Sequence, residues 1–112
     1  MVLMEQQRQQ HLQERVKILK ALAHPSRLFI VEELAHGERC VCDLTAMIGA
    51  DVSTVSKHLA ILRRAGLVCD DKRGNQVFYQ LRAPCVLNFF VCIEAVLEHQ
   101  RPQKITVKSD RQ

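Results

Sequence analysis

A glycine-containing turn near the middle of the chain constrains the fold most strongly, because one short helical pattern ends there and another begins. Leu44, Met47 and Ile48 lie at helical spacing ahead of this turn. Asp43 is a candidate N-cap for the segment, and Gly49 can end it in the left-handed conformation. The pattern therefore predicts a short helix that stops at Gly49.

A second amphipathic helix follows the turn almost at once. Asp51 is its candidate N-cap, Val55, Leu59 and Leu62 recur at i, i+4 and i+7, and Gly66 terminates the pattern. Two short helices joined by a turn that contains glycine are typical of a helix-turn-helix. We therefore expect this motif at the centre of the fold.

Two further helices are predicted ahead of the motif. The first ends near Ala23, where His24-Pro25 interrupts the helical pattern. The second runs from about Pro25 to Ala35, with Gly37 as a plausible cap. Their predicted apolar faces are Leu12, Val16, Leu19 and Ala23 in the first helix and Leu28, Val31, Leu34 and Ala35 in the second.

A hairpin and a last helix are predicted after the motif. Two β-prone runs, LVCDDKR and QVFYQL, flank Gly74-Asn75, which predicts a hairpin with Lys72 and Arg73 at a basic tip. Pro84 then restarts a helix whose apolar surface is wider than one small monomer can cover. That surface consists of Val86, Phe89, Phe90, Ile93, Val96 and Leu97. We therefore expect a mainly α fold with a small β-hairpin (α+β), which forms a homodimer through its terminal helices.

Composition fits one folded domain with a polar tail. The chain has 112 residues, 47% of them hydrophobic, with only 4 Gly and 3 Pro. We assign residues 1–100 to the domain and residues 101–112 to a basic tail that we expect to be disordered. No apolar run approaches the roughly 20 residues of a membrane span, and the first residues lack a secretory signal. We therefore expect a cytoplasmic protein with no membrane partner.

Positive charge is concentrated in the middle third of the sequence. Residues 51–82 contain six Lys or Arg against three Asp, a net charge of +3. Opposite its apolar stripe, the helix after the central turn carries short hydroxyls and cations, which suit a DNA groove and its phosphates. These residues are Ser53, Thr54, Ser56, Lys57 and Arg64. An ordinary solvated face is the alternative, but a helix-turn-helix followed by a basic-tipped hairpin is typical of a winged helix that binds DNA.

Several motifs resemble the ArsR/SmtB family of bacterial metalloregulators. HPSRLFIVEEL, CVCDL, STVSKHLAILRRAGLV and RGNQVFYQL occur in the family's order, and the resemblance covers roughly residues 16–97. It implies a homodimeric winged helix that represses its own operon until an inducer binds, with no cofactor needed for DNA binding. By position, the resemblance implies DNA contacts for Ser53, Thr54, Ser56 and Lys57. It also places Arg73 at the tip of the hairpin, which is called the wing in this family. His58 lies beside the apolar stripe, where a DNA contact and a partly buried structural histidine are both open.

Cys40-Val41-Cys42 is the informative cysteine pattern among the 5 Cys of the chain. Two free thiolates one residue apart can chelate a soft ion, whereas a buried thiol pair is the plain alternative. Residues i and i+2 of a regular helix point to different sides, so a shared ion requires an extended segment or the start of a helix. With Asp43 as N-cap, both thiols precede the helix, whose positive end lowers their pKa.

The resemblance implies As(III) or Sb(III) as the inducer of a metal(loid)-resistance operon. Arsenic repressors of the family carry CVCDLC, and Thr45 stands here in place of the third cysteine. The third ligand then comes from elsewhere, with Cys85 and Cys92 as candidates, or the site has only two thiolates. These two cysteines lie about 10 Å apart along one helix, so at most one joins Cys40 and Cys42, and it can come from the same or from the partner subunit.

The sequence leaves other functions of the cysteines open. Cys85 and Cys92 could instead pack in the dimer core, and Cys69 is expected to pack in the wing. A redox- or persulfide-responsive repressor, or a sensor of Cd(II) or Pb(II), would use the same fold. Zinc sensors of this family bind zinc on the last helix through a set of Asp, His and Glu or His residues. The last helix here lacks that set, since its only histidine is His99, and zinc sensing there is disfavoured. The sequence lacks CxxC, a Gly-rich phosphate loop and a catalytic set, so we expect no enzyme; a dimerising adaptor without DNA binding is the remaining class.

Overall fold

The computed structural model describes residues 2–101, with side chains from residue 5. These residues form five helices and one three-stranded antiparallel sheet. The elements are α1 (Val2–Leu22), α2 (Pro25–Leu34), β1 (Arg39–Cys40), α3 (Val41–Ile48), α4 (Val52–Arg64), β2 (Val68–Arg73), β3 (Gln76–Leu81) and α5 (Val86–Gln100). The predicted tail, apart from its first residue, lies outside the described residues.

Most predicted helix ends are confirmed, but the start of α3 is not. Asp51 caps α4 by accepting a 3.0 Å hydrogen bond from the backbone N–H of Thr54, and Gly49 ends α3 with φ 78°. The prediction of Asp43 as the N-cap of α3 is wrong. Cys40 occupies that position, and its Sγ accepts a 3.3 Å hydrogen bond from the backbone N–H of Asp43. Cys42 therefore lies in the first helical turn rather than ahead of it.

The sheet contains the predicted hairpin and one unpredicted strand. β2 and β3 pair from Val68 opposite Leu81 to Arg73 opposite Gln76. The short β1 pairs with the other edge of β3, which gives the strand order β1-β3-β2. Cys40 lies opposite Phe78 in this pairing. The backbone just ahead of α3 is therefore hydrogen-bonded directly to the wing.

The core lies between α2, α3, α4 and the start of β2. Its largest fully buried side chains are Ile30, Val31, Leu44, Val55, Leu59, Leu62 and Val68, each at most 1% exposed. Burying an aliphatic side chain of this size stabilises a fold by about 1.5–3 kcal/mol. The predicted face of α2 needs correction, because Ile30 is buried and Ala35 is exposed. The helix-turn-helix therefore packs around a hydrophobic core that a single chain forms without a partner.

The terminal helices differ from this core. On α1, Ala21 and Leu22 are buried, whereas the predicted face residues Leu12, Val16 and Leu19 are 42–46% exposed and Ala23 is also exposed. No residue of α5 is buried, and its exposed apolar side chains are Phe89, Val91, Ile93, Val96 and Leu97. Among residues 2–101, no helix is both long and apolar enough to cross a membrane. Both terminal helices thus present uncovered apolar faces in the single chain.

Candidate nucleic-acid interface and thiol site

The exposed face of α4 carries the residues that the sequence predicted for DNA binding. Val55, Leu59 and Leu62 are fully buried and fix which side of the helix points outward. The outward side presents Ser53, Thr54, Ser56, Lys57 and Arg64, all of them exposed. Polar, cationic side chains on a well-anchored helix are suited to a DNA groove and its phosphates.

The N-terminus of α4 is also electrostatically organised. Hydrogen bonds from the side chain and the backbone N–H of Thr54 hold the pKa of Asp51 below its ordinary value. The hydroxyl of Ser53 donates to the other carboxylate oxygen at 3.4 Å. Asp51 therefore stays ionised at neutral pH and fixes the first turn of the helix.

His58 is less exposed than the hydroxyl-bearing residues of α4. It is half-buried, its Nδ1 lies 3.0 Å from a terminal nitrogen of Arg27, and its ring centroid lies 4.4 Å from that of His24. Burial lowers the pKa of His58, and the nearby His24 and Arg27 lower it further. Nε of Arg27 also donates a 2.6 Å hydrogen bond to the carbonyl of Ala21 at the end of α1. His58 thus ties α4 to α1 and α2, while its predicted DNA contact stays a prediction.

Only some of the predicted cations are free of internal partners. Within residues 5–101, neither Lys57 nor Arg64 forms an ion pair with a carboxylate. Arg63, at the end of the same helix, pairs with Asp70 of β2 at 3.0 Å. Lys57 and Arg64 are therefore available to phosphates, whereas Arg63 ties the helix to the wing.

The predicted wing-tip cation, Arg73, is exposed but bound to other side chains of the protein. Its guanidinium forms an ion pair with Glu38, donates to Asp71 at 2.9 Å, and lies 4.5 Å from the ring centroid of Phe78. Hydrogen bonds from Arg73 and Gln80 lower the pKa of Glu38. Sequence reasoning missed Glu38 because it lies 35 residues from Arg73, outside any local motif. Pairing of β1 with β3 brings the two together.

The structure brings the sulfur atoms of Cys40 and Cys42 together, but the expectation of two free thiols is wrong, because Cys40 at the N-cap and Cys42 in the first turn of α3 lie close enough to bond. The two are joined as a disulfide, with Cα atoms 5.3 Å apart. Cys40 is 4% exposed, whereas Cys42 is exposed. A carboxylate oxygen of Asp43 completes a group whose ligand atoms all lie within 4.8 Å of one another. Asp43 is thus a third potential donor, which its assignment as a cap had hidden.

The other cysteines lie away from this pair. Cys85 and Cys92 are exposed free thiols at the N-cap and within α5, and neither belongs to the Cys40-Cys42-Asp43 group among the described residues. Their predicted role as ligands stays a prediction. Cys69 is a half-buried free thiol in β2.

A cavity lies between the thiol pair, the start of α4 and the tip of the hairpin. Its volume is about 340 Å³, and its walls come from the β1–α3 junction, the first turns of α4 and the tip of the hairpin. The lining residues are Cys40, Val41, Cys42, Val52, Ser56, Asn75, Gln76 and Val77. The thiol pair therefore lies beside residues of α4 and of the hairpin.

Comparison with known proteins identifies the family. Residues 24–69 match the family described as "Bacterial regulatory protein, arsR family". The chain is 32% identical over 97 residues to the uncharacterized HTH-type transcriptional regulator Rv0081 of Mycobacterium tuberculosis, covering 86% of this chain and 85% of that protein. It is 43% identical over 67 residues to the arsenical resistance operon repressor of Escherichia coli, covering 59% of this chain and 57% of that protein.

A solved structure agrees with this assignment. The homodimeric winged helix-turn-helix DNA-binding domain of Mb0332 from Mycobacterium bovis is 29% identical and aligns with a TM-score of 0.71. The alignment covers 83% of this chain and 86% of that one. The predicted winged helix-turn-helix fold is confirmed, and the relatives named above are regulators or repressors of transcription. The chain belongs to the ArsR family of bacterial transcriptional regulators.

Proposed function

We propose that this protein is a homodimeric repressor of a metal(loid)-resistance operon in the cytoplasm, released from operator DNA when a soft ion binds Cys40 and Cys42. The observation that carries this proposal is the cavity that the thiol pair shares with α4 and the wing. Because these residues line one cavity, binding of an ion to the two sulfur atoms can shift α4 and the wing, the elements proposed to face DNA. The two cysteines are the binding residues for the ion.

Dimerisation supplies the geometry for operator binding. The exposed apolar residues of α1 and α5 suit a second copy of the chain, and the related Mb0332 domain is described as homodimeric. A two-fold dimer places its two recognition helices about one DNA turn apart, roughly 34 Å, on a symmetric duplex. Phosphate contacts from Lys57, Arg64 and Arg73 supply much of the affinity, and Ser53, Thr54 and Ser56 approach the groove.

The donor set favours As(III) or Sb(III) as the inducer. Thiolates are soft ligands, and in the reduced protein the hydrogen bond from the backbone N–H of Asp43 would stabilise negative charge on Sγ of Cys40. A third donor comes from the carboxylate of Asp43 or from Cys85 or Cys92 of the partner subunit. The related Escherichia coli protein is named as an arsenical resistance operon repressor. If Asp43 is the third donor, Cd(II) and Pb(II) become stronger competitors, because a carboxylate is harder than a thiolate.

Release follows from where the thiols sit in the chain. Cys40 ends β1, which pairs with β3 of the wing, and Cys42 lies in the first turn of α3, which leads through Gly49 to α4. In the reduced protein, an ion that joins the two thiolates would fix their spacing at this junction. A coupling of a few kcal/mol between ion and DNA is enough for induction.

A thiol redox switch is the second candidate, and the disulfide between Cys40 and Cys42 favours it. Oxidation would remove two protons and two electrons from the pair to form the S–S bond, with a peroxide reduced to water as one suitable oxidant. A persulfide would act on the same sulfur atoms. In this case the oxidised protein, rather than the ion-bound protein, leaves DNA.

Titration of the reduced protein with arsenite tests the proposed site. Calorimetry combined with alkylation of free thiols is expected to show one ion per protomer and protection of Cys40 and Cys42. Cys40→Ser and Cys42→Ser should abolish this binding, and the matched control Cys69→Ser should retain it. Tight binding in all three variants would place the ion elsewhere. Absence of binding together with reversible peroxide oxidation of the pair would favour the redox candidate.

A further inference from the structure

Glu38 occupies the hydrogen-bond donors of the wing arginine. Its carboxylate accepts from both terminal nitrogens of Arg73, and the bond from Nη2 to Oε1 measures 3.1 Å. Nε of Arg73 donates to Asp71 at 2.9 Å. All three guanidinium nitrogens are therefore engaged within the protein. Oε1 of Glu38 also accepts a 2.9 Å hydrogen bond from Gln80 of β3, which fixes the carboxylate beside the wing.

A carboxylate in this position uses the same donors that a DNA phosphate would use. Arginine binds both groups through parallel N–H···O bonds, so a phosphate can form such a paired contact with the two terminal nitrogens of Arg73 only when Glu38 leaves them. The side chains of Arg73 and Glu38 are 47% and 29% exposed. Exposed ion pairs are weak, so a phosphate of the polyanion can compete for the arginine. Phe78 lies under the guanidinium and keeps it on the wing in either case.

We propose that Glu38 sets the DNA affinity of the wing by competing with a DNA phosphate for Arg73. The wing adds its phosphate contact only when Arg73 leaves Glu38, so the carboxylate weakens operator binding and reduces its salt dependence. This inference rests on the proposed operator binding, in which Arg73 contacts phosphate. Glu38 is a positioning residue, since it acts through Arg73 rather than on DNA itself.

A double-mutant cycle tests the competition. Fluorescence anisotropy gives the dissociation constant on duplex from upstream of the protein's own gene, over a series of salt concentrations, for wild type, Glu38→Gln, Arg73→Gln and the double variant. Glu38→Gln keeps an amide oxygen that can accept from Gln80, and urea unfolding checks that the fold is intact. Glu32→Gln is the matched control, because Glu32 is exposed on α2 and pairs with no cation among residues 5–101.

Glu38→Gln is expected to tighten binding about three- to tenfold at about 0.1 M salt. The slope of log K against log salt should steepen by up to about 1.8, because each of the two wings in a dimer gains about 0.9. Neither change should appear in the Arg73→Gln background. Arg73→Gln should also weaken binding more in the Glu38→Gln background than in wild type.

Three results would overturn the inference in distinguishable ways. An equal gain from Glu32→Gln, or a gain that persists without Arg73, would show that Glu38 acts only through net charge. An unchanged affinity in Glu38→Gln, with a clear loss in Arg73→Gln, would show that Arg73 reaches DNA without competition. No specific duplex binding by any variant would instead remove the proposed function on which the inference rests.

Discussion

The recognition helix α4 and the wing both carry predicted DNA contacts, but they are held by different forces. Helix α4 is anchored by Val55, Leu59 and Leu62, all fully buried, and begins at a capped Asp51. Within the β2–β3 wing, by contrast, the strand residues nearest the tip are exposed, and Arg73 is held by exposed ion pairs. The position of α4 should therefore resist salt, whereas the contacts of the wing should depend on it.

This difference indicates where regulation can act on DNA affinity. Displacing α4 requires disruption of the core, which is costly because close-packed interiors respond to small changes in volume. The wing is held more weakly, and it is hydrogen-bonded through β1 to the segment that ends in Cys40. Small changes at the thiols can therefore alter the wing at less cost than they can move the recognition helix.

The largest expected effect comes from truncating a buried side chain that holds the recognition helix α4 in place. Leu59→Ala is expected to lower the free energy of unfolding by about 2–5 kcal/mol, because it deletes a fully buried side chain and leaves a cavity. Val77→Ala, in the half-buried part of the wing, is the control and should cost clearly less. Urea unfolding measures both. Equal losses would mean that the wing is as tightly packed as the helix.

Charge removal on the recognition helix should have a smaller effect, on binding rather than stability. Lys57 is exposed and has no ion-pair partner among residues 5–101. Lys57→Gln is expected to weaken binding roughly tenfold and to reduce the salt slope by about 1.8 per dimer. Anisotropy measures this on operator and on unrelated duplex alike, with Lys17→Gln on α1 as the control. A loss confined to operator would indicate a base contact instead of a phosphate contact.

The smallest expected effect is a pH dependence of the tie between α4 and the first two helices. Burial, together with the facing His24 and Arg27, lowers the folded-state pKa of His58 below its ordinary 6.5. The unfolded chain therefore takes up this proton first, and the contribution of His58 to stability is fully present above the unfolded pKa. That contribution is lost as pH falls from 6.5 through the folded pKa.

Two measurements check this prediction. The ring-proton NMR resonances of His58 should titrate with a midpoint below 6.5, and the free energy of unfolding should fall more between about pH 7.5 and pH 5.5 in wild type than in His58→Gln. His11, which is exposed on α1, provides the matched control in His11→Gln. A midpoint above 6.5 would contradict the buried, cation-facing environment of the ring.

Local signals account for what the sequence predicted correctly. Asp51 and Gly49 act through hydrogen bonding and backbone conformation within a few residues, and Gly74-Asn75 specifies its hairpin in the same way. Apolar periodicity likewise identified the interior of α4. These features do not depend on distant parts of the chain, so a single sequence was sufficient to predict them.

Contacts between distant segments account for what the sequence did not predict. β1 has only two residues, too few to show an alternating pattern, and it exists because β3 offers a free edge. Cys40 caps α3 through a sulfur atom, although oxygen-bearing side chains are the preferred caps, and this hid Asp43 as a potential ligand. The pairing of Glu38 with Arg73 depends on that same strand pairing.

The most direct test of thiol control over DNA binding is an arsenite titration of the reduced, metal-free protein on labelled duplex from upstream of its own gene. Fluorescence anisotropy should show salt-sensitive binding, release by arsenite, and loss of that release in both Cys40→Ser and Cys42→Ser. Binding that stays indifferent to arsenite while responding to oxidants would contradict the ion as inducer. Absence of specific binding would contradict the repressor function itself.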